Sequence, residues 1–173
     1  MSVVCAKMIT SSTIKELQMG LDQYLSASEY ISRWDYTEDY DRSENELFSQ
    51  VVSQFGVAVD PAGHAGLQID FPMGYWRKAN QVHTWFVENL ADGEDDCRKM
   101  FVTRENLKNL RDLCKQVLAD HSLAEELLPT GIGFFFGSTQ YDEWYFKDLK
   151  NTLEIIDRCL KSKFDYFEYQ ASW

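Results

Sequence analysis

An α+β fold is predicted for this 173-residue chain: about four mainly antiparallel strands packed by helices, with a helical N-terminal part. Apolar residues recur at helical spacing in several separate runs, and two short segments alternate apolar and polar residues as half-buried strands do. The elements form neither an even βαβ series nor an internal repeat, which favours an α+β sheet over a doubly wound one. Hydrophobic residues make up 45% of the chain and aromatics 14%, which argues for a folded globule rather than a disordered chain.

The elements follow in chain order. Thr13 caps a predicted helix on which Ile14, Leu17, Leu21, Tyr24 and Leu25 recur, and a shorter turn carries Tyr30 and Trp34. An acidic, tyrosine-rich connection runs from Asp35 to Asp41. Ser43 with Glu46 reads as a capping box for a helix that buries Leu47, Phe48, Val51, Val52 and Phe55, with Gly56 ending it in a left-handed conformation. Pro61, Gly63 and Gly66 mark a loop, so the chain is divided into a helical unit over 1–56 and an α+β core over 57–173. Leu67, Ile69 and Phe71 alternate as a strand that Pro72 and Gly74 stop.

The next predicted helix turns Trp76, Ala79, Val82, His83, Phe86, Val87 and Leu90 to one face and exits through Asp92–Asp96. Met100 and Val102 suggest a short strand, after which Thr103 caps a helix with Leu107, Leu110, Leu113, Cys114, Val117 and Leu118 inward. Ser122 with Glu125 begins a short turn that Pro129 closes. The dense apolar run Ile132–Phe136 reads as a central strand, Ser138 or Thr139 as the cap of a long helix burying Tyr145, Leu149, Leu153, Ile156 and Leu160, and the aromatic stretch 164–169 as a final strand.

Charge and cysteines narrow the function classes. Seventeen basic against 28 acidic side chains give a formal net charge of −11, a field that repels phosphate backbones and anionic membranes and suits a cationic partner or simple solubility. Cys5, Cys97, Cys114 and Cys159 are scattered, with no CxxC pair and no histidine at zinc-ligand spacing, so no metal is expected. A reduced, cytoplasmic setting is expected, with no cofactor.

Three constellations carry possible chemistry. Arg77, Asn80 and Thr84 fall three and four residues apart, so on a helix they would share an anion-holding face beside His83, a candidate general base or a hydrogen-bonded core residue. The strand–glycine turn–helix reading of Gly131–Thr139 would let Ser138, Thr139 and free backbone N–H groups hold a phosphate or carboxylate, although plain capping explains the same pattern. Asp35, Tyr36, Glu38, Asp39, Tyr40, Asp41 and Glu44 concentrate carboxylates and phenols that either mimic a nucleic-acid backbone toward a basic groove or only solubilise the chain. No GxSxG, HExxH, Walker or GxGxxG motif is present, which favours a binding protein over an enzyme.

Phe71–Asn80 with His83, Trp85 and Phe86 resembles a family of proteins common in bacteriophages and prophages. Asp95-Asp96-Cys97, Leu127–Thr130, Phe134–Thr139, Tyr141, Asp142 and Tyr145 extend the resemblance over about residues 67 to 160. It implies no catalytic residues. In size and charge the chain is similar in character to phage inhibitors of bacterial defence, anti-CRISPR proteins among them. The resemblance and the charge together imply a phage-encoded, non-enzymatic protein that binds and inhibits a host nucleic-acid-handling factor through its acidic N-terminal part. The competing expectation is a nucleotide or other anionic small molecule, bound or processed by Arg77, Asn80 and His83 with Ser138 and Thr139.

Overall fold

The computed structural model describes residues 20–36, 42–59, 66–133 and 135–173. A four-stranded antiparallel sheet has the order β4 (Gly66–Arg77), β1 (Asp22–Ser32), β6 (Tyr166–Ser172), β5 (Met100–Thr103). A two-stranded hairpin pairs β2 (Trp34–Tyr36) with β3 (Arg42–Glu44). Five α-helices accompany them: α1 (Glu46–Phe55), α2 (Asn80–Leu90), α3 (Arg104–Ala119), α4 (Ala124–Leu127) and α5 (Glu143–Lys161). This is the expected α+β class, and no helix of the described residues is long and apolar enough to cross a membrane.

Residues 22–32, expected on a helix with Leu21, Tyr24 and Leu25 inward, form the second strand of the main sheet instead. Leu21, Gln23, Leu25 and Ala27 are buried while Tyr24, Ser28 and Tyr30 are exposed, a period of two. Leu21, Tyr24 and Leu25 fit a helical spacing equally well. The deciding residue is Gln23, a polar side chain at a core position, which hides the alternation. β1 pairs with β4 on one side and β6 on the other, so this part of the 1–56 segment belongs to the same sheet as the C-terminal strand. The expected Thr13 cap lies outside the described residues.

β4 runs through Pro72 and Gly74, where the sequence suggested a stop. It is an edge strand, where a missing N–H is tolerated, and a bulge between Leu25 and Ser26 absorbs the extra residue Met73. Arg158 donates to the Met73 carbonyl at 3.1 Å. Gly74 is required by packing, because a Cβ there would run into the Ile155 side chain on α5. Trp76 therefore sits on a strand, its indole N–H donating to Thr152 at 2.9 Å.

α2, α3 and α5 supply most of the core that covers one face of this sheet, with Val82, Phe86, Leu107, Leu110, Leu149 and Ile156 packed against Leu25, Trp76, Phe167 and Tyr169. The core cysteines Cys114 and Cys159 are buried, and burial pushes each thiol up to about 12. Thr103 caps α3 as expected, and Asn106 returns a bond to the Thr103 backbone to make the cap reciprocal.

Other local expectations need correction. Asn45, not Ser43, caps α1, and of the five residues expected inward only Phe48 is buried, with Leu47 52% and Phe55 76% exposed. Gly56 does end α1 with φ +62°. Asp120 rather than Ser122 caps the turn before α4, and Asp142 rather than Ser138 or Thr139 caps α5. Residues 131–133 have no regular structure and 135–136 form a turn, so the described residues of the apolar run belong to a loop and not to a central strand. Unbroken apolarity carries no period, Gly131 and Gly133 interrupt it, and Ile132 is 92% exposed.

Candidate functional site

The junction between β4 and α2 builds the site. Arg77 ends the strand, Lys78 takes a left-handed conformation with φ +60°, and Asn80 opens the helix. A non-glycine residue held there costs about 1–2 kcal/mol, and the surrounding bonds over-determine it. Lys78 N–H donates to the Leu21 carbonyl at 2.7 Å. The buried Gln23 amide clamps the next residue, accepting from Ala79 N–H at 3.1 Å and donating to its carbonyl at 3.1 Å. Because of this turn Arg77 does not share a helical face with Asn80 and Thr84.

Asn80 is nearly fully buried and fully used. Its amide nitrogen donates to the Phe136 carbonyl at 3.0 Å and the Ser138 carbonyl at 2.8 Å, and its oxygen accepts from Gly131 N–H at 3.2 Å. One side chain thus holds both ends of the 131–138 loop against α2, so its role is to position that loop. Gly137, with φ +91°, lets the loop pass Lys78, since an added Cβ would stand 3.1 Å from the lysine Cβ.

Between this junction, the 137–142 stretch and the first turns of α5 lies a cleft of about 290 Å³, which Arg77 and Ser138 both line. Arg77 and Lys78 make its cationic side; Asp142 and Asp148 make an acidic one, and Trp144 adds an indole that is 61% exposed. Burial raises the Asp148 carboxyl to about 6, with Asp142 adding to the rise while Gln81 and Lys147 oppose it. Asp142 is held by its capping bonds from Trp144 N–H at 2.9 Å and Tyr145 N–H at 3.2 Å. Ser138 Oγ accepts from Gln140 N–H at 3.1 Å, a local turn. Thr139 contributes its backbone, its carbonyl accepting from Thr130 Oγ1 at 3.2 Å.

His83 lies apart from this cleft, 1% exposed, beneath the same loop. Its Nδ1 is 2.8 Å from the Tyr169 hydroxyl and its Nε2 2.9 Å from Asp95. Gln23 donates to the Tyr169 hydroxyl at 3.2 Å, and Trp173 Nε1 donates to Asp95 at 3.3 Å. A carboxylate accepts, so Nε2 is the donor toward Asp95, and in that tautomer of the imidazole Nδ1 accepts from the Tyr169 hydroxyl. The chain Gln23, Tyr169, His83, Asp95 is then satisfied in one direction throughout. Phe136 meets the imidazole edge-on at 5.1 Å and Phe86 stacks on Tyr169 at 3.9 Å. Burial pushes the Tyr169 phenol far up, which makes it a hydrogen-bonding core group rather than a nucleophile.

Of the expected ligand set, the structure therefore joins Arg77 and Ser138, assigns Asn80 and Thr139 to the loop, and seals His83 into the core. Gln23, Asp148, Trp144 and Tyr169 were not singled out from sequence. Only Asp142, ahead of a helical run, carried a local signal, that of an N-cap. Among the described residues no three His, Cys, Asp or Glu side chains are grouped to hold a metal ion.

The acidic candidates are placed in part. Asp35 is exposed and accepts from Asn45 at 2.9 Å; Glu44 pairs with Arg33 at 3.1 Å, whose guanidinium lies 4.7 Å from the Trp34 ring centroid. Tyr36 pairs with Arg42 across the hairpin, while its side chain and residues Glu38, Asp39, Tyr40 and Asp41 lie outside the described residues. In the second acidic stretch Glu94 and Asp96 both approach Arg98, at 3.4 and 3.5 Å. No family model, curated protein or solved structure matches the chain.

Proposed function

We propose that this chain is a binding protein for a small anionic molecule with a planar group, a nucleotide being the type case, held in the cleft between the β4–α2 junction and α5. The observation that carries the reading is the bipolar cleft itself. Arg77 and Lys78 stand on one side, a half-buried carboxyl and an exposed indole on the other, and the volume of about 290 Å³ is at the lower end for ligand sites. Phosphate or carboxylate would pair with Arg77 and Lys78. A planar ring would lie on Trp144, and Asp148 would accept from ring N–H groups. Nothing among these residues pairs a nucleophile with a base, so binding rather than turnover is the reading. Isothermal titration with the common mononucleotides tests it: Arg77→Ala should weaken a bound nucleotide at least tenfold, and no heat from any of them with the intact fold would end the reading.

A second reading has its own support. The β2–β3 hairpin carries the exposed carboxylates Asp35 and Glu44 just ahead of α1, whose Leu47 and Phe55 are exposed, a mixture of acidic and apolar side chains such as protein interfaces use. On this reading the chain is a phage-encoded inhibitor that blocks a basic, nucleic-acid-handling host factor. Lysine at Asp35, Glu38, Asp39 and Asp41 together should abolish association with that factor; unchanged, salt-insensitive binding would remove the reading.

A further inference from the structure

The second face of the main sheet carries a surface that neither reading uses. The ladder between β1 and β6 ends at Ser26 opposite Glu168, although β6 stays paired with β5 as far as Tyr166. The strands part there, and a groove of about 290 Å³ opens between them. Three aromatic side chains around it are largely exposed: Tyr30 65%, Phe101 60% and Tyr166 59%. Phe101 and Tyr166 lie with ring centroids 4.8 Å apart, inclined by 31°. Glu168 lines the groove, and Asp70 stands at its border, its Oδ1 accepting from the lining residues Ser28 at 2.6 Å and Gln68 at 2.9 Å. Those two bonds hold the Asp70 carboxyl below its ordinary range.

The chemistry selects one kind of occupant. Ser28 and the Gln68 amide nitrogen are turned onto Asp70, so what the groove offers is carboxylate and phenol oxygens with the ring faces of its aromatics. A guanidinium uses both, since it donates to carboxylates in a planar fork and stacks on aromatic rings. Glu168 already takes a cation from this chain, Lys99 at 2.9 Å, and an incoming arginine would exchange with that exposed lysine. A net charge of −11 draws a basic partner from a distance and opposes a nucleic acid. A second copy of the chain would set Asp70 and Glu168 against their own like charges.

We infer that the groove between β1 and β6 is a docking site for an arginine-bearing segment of a partner protein, its guanidinium groups seated among Tyr30, Phe101 and Tyr166 and paired with Asp70 and Glu168. The probe is a synthetic twelve-residue peptide of alternating arginine and serine, titrated into the isotopically labelled full chain and followed by backbone amide shifts. The expected shifts centre on residues 28–30, 68–70, 101 and 166–168. The combined variant Phe101→Ser with Tyr166→Ser should lose at least tenfold in affinity, and the matching lysine–serine peptide should bind several-fold more weakly than the arginine one. Tyr30→Ser, at a separate exposed position, repeats the test if the double variant loses its fold. Shifts centred on the hairpin or on the Arg77 cleft, or unchanged affinity in a folded variant, would overturn the inference. So would maltohexaose shifting the groove where the peptide does not, or sedimentation equilibrium showing a dimer that Phe101→Ser dissolves.

Discussion

Replacing Asp148 by asparagine tests the electrostatics of the cleft in one step. Burial lifts this carboxyl from an ordinary 3.8 to about 6, so in the pH interval between those values the folded protein binds a proton that the unfolded chain has released. Stability therefore falls as pH rises through that interval, because the native state binds more protons. At about 1.4 kcal/mol per pH unit the full effect is about 3 kcal/mol. Allowing for the part of the side chain that still meets water, roughly 1–2 kcal/mol is expected to appear. Asparagine has nearly the same shape and keeps an oxygen for Gln81, but it cannot ionise. Urea unfolding at pH 4 and pH 7.5 reads the difference: the variant should match the parent at pH 4 and exceed it by roughly 1–2 kcal/mol at pH 7.5, with the denaturant slope unchanged. Equal stability of the two proteins at pH 7.5, or a gap that does not change with pH, would refute the argument that a desolvated carboxylate faces this cleft. The same change removes a negative charge opposite Arg77 and Lys78, so anion affinity should rise at pH 7.5 and stay level at pH 5.

Three further perturbations probe how the site is held. His83→Ala removes a satisfied buried group and strands Tyr169 and Asp95; a loss of roughly 2–4 kcal/mol in thermal or urea unfolding is expected, against under 1 kcal/mol if the histidine is a bystander. Gly137→Ala forces a side chain into a left-handed turn against Lys78, and about 1–2 kcal/mol of lost stability should accompany faster amide exchange in the 131–138 loop. Arg104 donates to the carbonyls of Leu160, Ser162 and Phe164 at the end of α5, so Arg104→Met should cost about 2–3 kcal/mol by leaving those acceptors unmet; a melting temperature within 1 °C of the parent would show that solvent replaces the guanidinium without loss.

What the sequence made legible was amphipathic periodicity backed by a cap. α3, with Thr103 ahead of six regularly spaced apolar residues, and the aromatic final strand were both read from pattern alone. The readings that failed share a cause: a tertiary contact replaced the local preference. Gln23 sits in the core because it clamps Ala79 and meets Tyr169, residues 56 and 146 positions away, and no window of sequence contains that reason. The left-handed turn at Lys78 broke the supposed helix between Arg77 and Asn80, and a lysine gives no warning of a positive φ. Asn80 and His83 stand out in the sequence as candidate ligand groups, and in the structure they fasten a loop and fill a polar core. Asp148 and Trp144 became visible only once α5 was placed beside Arg77.

The position of β6 sets the order in which this molecule can assemble. The final strand lies between β1 and β5, the inner place in a ladder whose other members are all synthesised before it. During translation β1 and β4 can already zip together, but β5 has no neighbour, and the helices have only half a floor to settle on. Closure waits until β6 itself has left the ribosome. Pairings this distant in the chain make for slow, late nucleation, and a chain ending before Tyr166 would lose its keystone strand rather than a fringe.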